Sequence, residues 1–490
     1  MSFLTGQPPV SASAVASEFT RETPHELSEE EIAEVQEHYA QAARRARDAG
    51  FDATELIVAA GYLVNQFLSP LTNRREDRYG GDIDSRMTFM RETIAAIKNA
   101  TGEEFPLICR LSGSDFMEGS HTLEETKIVA AEMERCGVDL ISVTGGWHET
   151  RIPQIPMTVP RGAYVYLAQG IREAVESVPV ACCNRVNNPA LAEEILREGR
   201  SDLVAMARAF IADPRILHKA SVGLQENVRH CIACNQGCFD HVFMLRPITC
   251  MVNPRVNRER ETELTPAAVK KKVLVAGGGP AGMECAWVAA HRGHDVALCE
   301  ERAELGGQAA LAAVPPGREE FAEMVSYLVR QLDNKGVEIR LGEPLTSRLL
   351  EDLEPDVLVL ATGAAQVVPP VEGVSGSNVV MAWDVLRGEA RTGDRVVVVG
   401  GGAVGIETGS YLAAGGKKVT VVEMLDRCGA DIGVSTRWTI LKDAGDLGVE
   451  LVSACKVERI TSRGVETATA SGPRRFEADT VVIAVGAAAR

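Results

Sequence analysis

Two copies of one glycine-rich pattern constrain the fold of this 490-residue chain more than any other feature. The stretches KKVLVAGGGPAG and RVVVVGGGAVG each predict an apolar strand, a tight turn and a helix. In such a GxGxxG turn, the first glycine permits the turn, the second lets the backbone approach a pyrophosphate, and the third lets the helix pack on the strand. The glycines are Gly277, Gly279 and Gly282 in the first copy and Gly400, Gly402 and Gly405 in the second.

An acidic residue ends the next predicted strand in each copy. Glu300 and Glu423 each lie 18 residues after the last glycine of their copy, where a carboxylate binds a ribose hydroxyl. The segment ELGGQ, which ends at Gln308, supports a nucleotide site in the first copy. Two successive units indicate FAD in the first and a nicotinamide dinucleotide in the second. Glu423 repels a 2′-phosphate and favours NADH over NADPH, whereas Arg427 weakens that preference. The alternative is a pair of Rossmann turns without bound dinucleotides.

In the first half of the chain, short apolar segments alternate with segments of helical periodicity. A capping box at Ser28 (SEEE) predicts the start of a helix, and the strand candidates are ATELIVAA, PLICRLS, DLISVTGG, PVACCNRV and DLVAMARAF. Alternation of this kind is typical of a parallel sheet.

Five strands are fewer than the eight of a (β/α)8 barrel, so an open doubly wound sheet is the alternative. Polar residues at or just past the predicted strand ends favour the barrel, since barrels keep their chemistry there. These residues are Arg110, His148, Arg185 and Arg208. We therefore interpret this half as strands 4 to 8 of a TIM barrel.

Charge and composition exclude several classes of partner. The formal net charge of −17 argues against nucleic acid or an anionic membrane as a partner. No basic and apolar leader begins the chain, and no run of about 18 apolar residues predicts a membrane span. Twelve cysteines in 490 residues are too few for a disulfide scaffold, so we expect a reducing cytoplasm.

Four of those cysteines form the motif C-x2-C-x3-C-x11-C just before the first nucleotide pattern. Thiolates at such spacing bind zinc or an iron–sulfur cluster. Zinc sites favour paired CxxC knuckles, whereas three ligands from one turn and a fourth at a distance suit a [4Fe–4S] cluster. A redox cluster also fits beside flavin chemistry, which zinc could not serve. The predicted ligands are Cys231, Cys234, Cys238 and Cys250.

Several segments together resemble one enzyme family along nearly the whole chain. GYLVNQFLSPLTNRR, GGWHETRIP, MARAFIADP and CIACNQGC…CMVNP are similar to the bacterial 2,4-dienoyl-CoA reductase and 2-enoate reductase family, the multi-domain branch of the old yellow enzyme superfamily. The resemblance implies FMN, one [4Fe–4S] cluster, FAD and NAD(P)H. Electrons would pass in the order NAD(P)H, FAD, cluster and FMN to an activated C=C bond. The expected substrate is a small enoyl or dienoyl CoA thioester.

The same resemblance implies roles for individual residues. Tyr62 in GYLVNQFL would donate a proton, with His148 in GGWHE as its partner. Arg110 would lie beside the flavin ring. The ribityl phosphate end of FMN would be held by Arg185, Ala207 and Arg208, and the substrate entrance would be lined by Asn73 and Arg74.

Two departures from the family qualify this interpretation. Many superfamily members carry a His-x-x-His or His-x-x-Asn pair before the Gly-Tyr, where this chain has Ile57 and Ala60; the dienoyl-CoA reductases also lack that pair. The chain also looks truncated at both ends relative to the family. We therefore expect that this chain alone binds FMN poorly or not at all, and that the full-length parent is the active enzyme. The expected domains are 1–225 (barrel part), 226–265 (cluster segment), 266–390 (first part of the FAD domain) and 391–490 (NAD(P) domain).

Two rival functions remain at this stage. The same scaffold could act on a steroid or bile-acid enone, an aromatic acyl-CoA or an amine. Alternatively, the chain could be an electron-transfer module that passes NADH electrons through FAD and the cluster, without alkene chemistry at Tyr62 and His148. In each case it is predicted to be an NAD(P)H-dependent flavin and iron–sulfur oxidoreductase.

Overall fold

The computed structural model describes residues 6–490 and divides them into two compact units. The first unit comprises the described residues through Ile155 together with Val159–Ala209, and the second comprises Pro156–Thr158 and Phe210–Arg490. Each unit contains at least one parallel sheet with helices in its connections. The finer four-domain division stays a prediction.

Five parallel strands in the order β3-β4-β5-β6-β7 form the main sheet of the first unit, as the alternation predicted. All four neighbouring pairs are parallel. Two short strands, β1 and β2, form a separate pair. The strands are β1 (Val10–Ser11), β2 (His25–Glu26), β3 (Thr54–Val58), β4 (Leu107–Ser112), β5 (Leu140–Thr144), β6 (Val180–Cys182) and β7 (Leu203–Val204).

Several helices of this half begin at a residue whose side chain caps them. Ser28 caps the first helix with its side chain, and Glu31 completes the predicted capping box. Thr122 and Glu125 form a second capping box. The helices are α1 (Glu29–Asp48), α2 (Leu63–Leu68), α3 (Ile83–Arg86), α4 (Thr88–Thr101), α5 (Leu123–Arg135), α6 (Val165–Arg172), α7 (Pro189–Arg197), α8 (Ala207–Ala212) and α9 (Ile216–Ser221).

Two details of the predicted strands are wrong. Arg110 lies inside β4, two residues before the strand ends, and not at its end. The predicted strand DLVAMARAF is a strand only at Leu203–Val204, after which Ala207 begins α8. Alanine and arginine favour helix, and Leu203 and Val204 are the residues of this run that pair in register with β6.

The two glycine-rich patterns each form the predicted strand, turn and helix in the second unit. The first lies in a four-stranded parallel sheet of order β10-β9-β8-β11, and the second in a five-stranded parallel sheet of order β13-β20-β14-β15-β16. The strands of these two sheets are β8 (Lys272–Ala276), β9 (Asp295–Glu300), β10 (Glu338–Leu341), β11 (Val357–Leu360), β13 (Val379–Met381), β14 (Arg395–Val399), β15 (Lys418–Val422), β16 (Glu450–Val452) and β20 (Thr480–Ile483).

Short antiparallel sheets and helices complete the second unit. Strand β12 (Ala364–Gln366) pairs with β21 (Ala487–Ala489). A three-stranded antiparallel sheet consists of β17 (Lys456–Thr461), β18 (Gly464–Thr469) and β19 (Gly472–Glu477). The helices are α10 (Phe239–Phe243), α11 (Pro280–His291), α12 (Gly307–Ala312), α13 (Glu320–Lys335), α14 (Ser347–Leu353), α15 (Ala382–Leu386), α16 (Ala403–Ala414) and α17 (Arg437–Asp446).

The cysteine segment shares a hydrophobic core with the first nucleotide fold. Ile232 and Ala233, beside the cysteines, pack in the same buried cluster as Val275 of β8 and Met283 and Trp287 of α11. Burial of such apolar side chains is worth about 1.5–3 kcal/mol for each large residue. This packing fixes the cysteines against the predicted FAD fold. Among residues 6–490, no helix combines the length and the apolar character that a bilayer crossing requires.

Candidate active site

One hydroxyl joins the ends of three neighbouring strands in the first unit. The Ser112 hydroxyl, at the end of β4, accepts a hydrogen bond from the Ala60 N–H at 3.0 Å and donates to the Gly146 carbonyl at 3.2 Å. Ala60 also forms an isolated parallel β-bridge with Trp147, and its carbonyl accepts a hydrogen bond from the His148 N–H at 3.3 Å. The GYL and GWH segments are therefore held together at the carboxyl edge of the sheet. Sequence reasoning missed Ser112, although a hydroxyl at the end of a barrel-type strand is a usable signal.

The backbone before Tyr62 is in an uncommon conformation. Ala60 and Gly61 have φ values of 59° and 84°, both in the left-handed region. A Cβ on Gly61 would lie 2.6 Å from Cε2 of Trp147, so only glycine fits against this ring. The turn leaves Tyr62 at the start of α2, with 54% of its surface exposed. Strained backbone of this kind clusters at functional sites.

The predicted catalytic pair is brought together. The rings of Tyr62 and His148 meet edge to face, with centroids 5.1 Å apart and an angle of 88° between their planes. Phe19 also stacks with the imidazole, with ring centroids 6.4 Å apart. Desolvation lowers the pKa of His148 below its ordinary 6.5, and this outweighs the opposing effects of the Ala60 carbonyl and the Glu149 carboxylate. The imidazole is therefore neutral at neutral pH.

The guanidinium of Arg110 fits the predicted position beside a flavin. Arg110 is half-buried, and its Nη2 lies 3.5 Å from the sulfur of Cys183, a weak acceptor. Burial raises the pKa of Cys183, so this thiol stays neutral. In the described part of the chain, no carboxylate forms an ion pair with Arg110. A half-buried cation without a carboxylate partner suits an anionic ligand, such as a reduced flavin ring.

Arg185 and Arg208 both hold the segment that precedes α6. Arg185 is only 3% exposed and its Nε donates to the Val159 carbonyl at 2.7 Å. Arg208 Nη1 donates to the Ile155 carbonyl at 2.8 Å. Ala207 is the first residue of α8, next to Arg208. Contact of these residues with an FMN phosphate stays a prediction.

Asn73 lies beside a turn after α2. It is buried, and its side-chain amide donates to the carbonyls of Phe67 and Tyr79 at 2.6 and 2.7 Å. Its Oδ1 accepts from the Arg75 N–H at 3.1 Å. The amide is therefore used in holding a turn, and the role of Asn73 at a substrate entrance stays a prediction. Arg74 is exposed, and its entrance role stays a prediction.

The first glycine-rich turn has the shape of a pyrophosphate cradle. Gly277 has a φ of +113°, and a Cβ there would overlap the Ala361 carbonyl. A Cβ on Gly282 would overlap the Gly277 carbonyl. A Cβ on Gly279 would meet nothing within 4 Å, so this glycine faces open space. The three glycines thus fit the roles predicted for FAD binding.

The acid and the ELGGQ segment lie at this same turn. The Gly278 N–H donates to Oε2 of Glu300 at 2.6 Å. A Cβ on Gly307 would lie 3.1 Å from the Gly279 Cα, which brings the start of α12 against the glycine turn. Gln308 follows at the surface of that helix. These residues could hold the ribose and phosphates of FAD.

The second glycine-rich turn repeats this geometry. Gly400 has a φ of +109°, and a Cβ on Gly405 would overlap the Gly400 carbonyl. The buried Glu423 accepts from the Gly401 N–H at 2.6 Å, as Glu300 does in the first copy. Gly402 differs from its counterpart Gly279, because the carboxylate of Asp431 lies against it. The second fold therefore fits a dinucleotide at Glu423, with one difference at the phosphate position.

The four predicted cluster ligands form one group of cysteines outside any disulfide. Burial is the main cause that raises the pKa of Cys234 to about 12, and the charges of Cys231, Cys238 and Cys250 raise it further. The Thr249 N–H donates to the Gly237 carbonyl at 2.6 Å, which joins the distant fourth cysteine to the first three. Four thiols held this way could bind an iron–sulfur cluster, whose iron would stabilise the thiolates.

A buried group of charged residues lies behind these cysteines. Arg229 Nη2 lies 3.6 Å from Glu284, and its Cζ lies 4.7 Å from the ring centroid of Tyr327. Arg255 lies over the Trp287 ring at 5.1 Å. Nε of Arg229 and Nη2 of Arg255 are buried without a hydrogen-bond partner. Two guanidinium groups beside one carboxylate give this core excess positive charge, which suits an anionic four-thiolate cluster.

The four cysteines do not form a site for a single metal ion. Among residues 6–490, no three His, Cys, Asp or Glu side chains are positioned to hold a single metal ion. A single zinc needs its ligands about 2.3 Å from one point, whereas in a four-iron cluster each thiolate binds its own iron. The [4Fe–4S] assignment therefore stays a prediction.

Comparison with known proteins identifies two family regions. Residues 5–227 match the NADH:flavin oxidoreductase / NADH oxidase family, and residues 271–490 match the pyridine nucleotide-disulphide oxidoreductase family. The Tyr62 and His148 site lies in the first region and both glycine-rich turns lie in the second. The predicted fold class, barrel-type β/α repeats followed by Rossmann-like nucleotide folds, is confirmed.

Individual relatives match nearly the whole chain. A metal reductase of Desulforamulus reducens is 47% identical over 99% of this chain and 77% of that protein. An NADH oxidase of Thermoanaerobacter brockii is 41% identical over 98% of this chain and 75% of that protein. The structure of a 2-naphthoyl-CoA reductase in complex with 2-naphthoyl-CoA is similar with a TM-score of 0.95 and 37% identity, covering 98% of this chain and 74% of that one.

Proposed function

Because the chain belongs to the multi-domain NADH:flavin oxidoreductase / NADH oxidase family and is an NAD(P)H-dependent flavin oxidoreductase, we propose that it reduces an activated C=C bond of a CoA thioester. The substrate class is a 2-enoyl, 2,4-dienoyl or aromatic acyl thioester. The similarity to a 2-naphthoyl-CoA reductase supports a thioester substrate. The observation that carries the proposal is the contact of Tyr62 with His148, at 5.1 Å between ring centroids.

These two side chains suit the proton step of such a reduction. Bound FMN would supply a hydride to the electron-poor alkene carbon. Negative charge then develops toward the thioester carbonyl, and a proton must reach the adjacent carbon. The exposed Tyr62 hydroxyl is the donor in this proposal. The neutral imidazole of His148 can donate one ring N–H to the carbonyl oxygen.

The cation at Arg110 supports the same chemistry from β4. A guanidinium without a carboxylate partner stabilises negative charge on a ligand beside it. Cys183 is the contact that the structure gives its Nη2, at 3.5 Å. We propose that Arg110 lies next to the flavin ring and favours its anionic reduced form.

In this proposal the second unit binds the groups that supply electrons to the reaction. NADH would bind at the turn of Gly400, Gly402 and Gly405 with Glu423 on its ribose, and FAD at Gly277, Gly279 and Gly282 with Glu300 and Gln308. Cys231, Cys234, Cys238 and Cys250 would hold a [4Fe–4S] cluster, which supplies single-electron transfer between the two flavins. A local hydrophobic core joins the cysteine segment to the FAD fold, which supports their use as neighbours in electron transfer.

The test replaces the proton donor and follows two reactions of the same protein. Tyr62→Phe removes the hydroxyl and keeps the ring. We expect reduction of the enoyl thioester by NADH to fall about 10²- to 10⁴-fold, the range of general acid catalysis. NADH-driven reduction of a dye at the second unit should not change. Tyr166→Phe is the matched control, because Tyr166 is also an exposed tyrosine, at 45% of its surface, and contacts neither residue of the pair. Equal loss of both reactions in Tyr62→Phe contradicts the proposal.

A second candidate function is electron delivery to an external acceptor without alkene chemistry. The 47% identity to a protein named metal reductase favours it. NADH electrons would then leave from the second unit to a metal ion. In that case Tyr62→Phe and His148→Asn would leave every NADH-driven activity unchanged, and no thioester would be reduced.

A further inference from the structure

The two glycine-rich turns differ at the position where a dinucleotide phosphate binds. Gly279, the second glycine of the first turn, faces open space. At Gly402, the equivalent glycine of the second turn, a Cβ would lie 2.9 Å from Oδ2 of Asp431. Both carboxylate oxygens of Asp431 also accept from the Ala403 N–H, at 3.0 and 3.1 Å. Ala403 is the first residue of α16, whereas the first residue of α11 is Pro280, which has no N–H.

Asp431 therefore occupies an N–H donor at the amino end of α16 that a bound phosphate could otherwise use. The amino end of a helix attracts an anion through its free N–H groups and its dipole. A carboxylate and a phosphate cannot share this N–H, and their like charges repel. Bound pyrophosphate at Gly402 requires Asp431 to move away.

The loop that carries Asp431 is anchored at two ends. On the nucleotide side, the Gly429 N–H donates to the Gly401 carbonyl at 2.7 Å. On the other side, the Ser435 N–H donates at 2.9 Å to Oδ1 of Asp240, a residue of the cysteine segment that is 3% exposed. A Cβ on Gly433 would overlap Oδ2 of Asp240. Movement of Asp431 therefore pulls on a loop that rests against the cysteine segment.

We propose that Asp431 occupies the phosphate position of the second nucleotide fold and determines how tightly that fold binds its dinucleotide. The inference rests on the proposed use of this fold for NADH. When a site is filled by a competing side chain, the apparent affinity of the ligand falls by the fraction of open sites. The loop contact with Asp240 favours the filled state, because it holds Asp431 near Ala403.

The test measures binding of ADP-ribose, which carries the pyrophosphate but transfers no hydride. The full chain, loaded with FAD, is titrated calorimetrically. Asp431→Asn keeps the shape and removes the charge, and Asp431 is exposed, so this change should not disturb folding. We expect the Kd of ADP-ribose to fall about 2- to 30-fold, the range for a carboxylate at a helix terminus. Asp446→Asn is the control, since Asp446 pairs with Lys442 on α17. It should leave the Kd unchanged.

Two further measurements locate the effect. Adenosine has no phosphate, so its Kd should be the same in the wild type and in Asp431→Asn. Gly433→Ala forces the loop away from Asp240 and should also tighten ADP-ribose binding. The double variant should bind no more tightly than Asp431→Asn alone, because both changes act on one contact.

The outcomes separate this inference from the proposed function. Equal binding of ADP-ribose by the wild type and Asp431→Asn overturns the inference and leaves the NADH site intact. An equal gain for adenosine also overturns it, because the effect would then lie away from the phosphates. If neither protein binds ADP-ribose, the second fold takes no dinucleotide, and both the inference and the proposed NADH site fail.

Discussion

The rings of Tyr62 and His148 meet edge to face, 5.1 Å apart, although 86 positions separate the two residues in the sequence. The contact exists because the ends of β3 and β5 are joined through Ala60, which bonds to the His148 N–H and to the Ser112 hydroxyl. The proposed proton donor Tyr62 and the neutral imidazole of His148 thus share one edge of the sheet.

The pKa of His148 should rise when its ring is better hydrated. Desolvation lowers this pKa below 6.5, and Phe19 stacks on the imidazole. Because removal of the Phe19 ring admits water, Phe19→Ala should raise the pKa toward 6.5. Phe51→Ala, at another exposed phenylalanine, should not. NMR of the histidine resonances across a pH series measures this pKa, and the resonance that is missing in His148→Asn identifies His148. An unchanged pKa in Phe19→Ala would contradict the account.

The lowered pKa of His148 also makes the free energy of unfolding depend on pH. The unfolded chain binds a proton at His148 near pH 6.5, whereas the folded chain binds it only at lower pH. The free energy of unfolding should therefore decrease as the pH falls from 6.5 through the lowered pKa. His148→Asn should remove this part of the pH dependence in denaturant titrations.

Glu134 should support the first unit against acid. Its carboxylate, on α5, accepts hydrogen bonds from the N–H groups of Glu176, Ser177 and Val178 at 2.6–2.9 Å, and these lower its pKa to about 2. The stabilisation is present above pH 4.5 and is lost as the pH falls toward 2.

Glu134→Gln should therefore lower the free energy of unfolding at neutral pH by on the order of 1 kcal/mol, since the site is exposed to solvent. Glu124→Gln is the control, because Glu124 contacts only Lys127 at the surface. Denaturant unfolding at pH 7 and pH 3 measures both. The idea fails if the two variants lose the same stability at pH 7.

Iron content should depend on the four grouped cysteines alone. Cys234→Ser should abolish binding of iron and sulfide, because it removes one of the four thiolates. Cys285→Ser should retain both, since Cys285 is a half-buried thiol of α11 outside the group. Anaerobic assay of iron, sulfide and zinc per chain checks this. Zinc in place of iron in the wild-type protein would contradict the cluster assignment.

The buried Arg229 should raise the reduction potential of the cluster. Burial raises the pKa of Cys250, and the positive charge of Arg229 opposes this rise, so the guanidinium stabilises negative charge at the cysteines. Arg229→Gln should shift the midpoint potential to more negative values, because the reduced cluster carries one more negative charge. Arg258→Gln, at the surface beside Glu261, should leave it unchanged. A redox titration followed by EPR measures the shift, and an unaltered potential in Arg229→Gln would be the contrary result.

The elements with local signals could be predicted from the sequence. Short-range spacing determines the Ser28 capping box, both glycine turns and the grouping of the four cysteines. Each of these features is present as expected. The end of β7 was missed because Ala207 and Arg208 continue an apolar run that periodicity cannot divide into strand and helix.

The parts that depend on contacts distant in the sequence could not be predicted. Ser112 joins three strand ends, and Asn73 turns inward to the Phe67 and Tyr79 carbonyls. Asp431 contacts Ala403 across 28 positions. No spacing rule connects these pairs, because the fold alone brings them together.

The electron route from NADH to substrate is tested most directly by the origin of the two hydrogens in the product. The protein reduces an enoyl thioester anaerobically with NADH deuterated at C4, and mass spectrometry measures the label in the product. Electrons that cross an iron–sulfur cluster travel without hydrogen, so both product hydrogens should come from solvent. The account predicts no deuterium from labelled NADH in H2O, and two deuterium atoms from unlabelled NADH in D2O. Deuterium transferred from NADH to the product would contradict it, because the hydride would then bypass the cysteine-bound cluster.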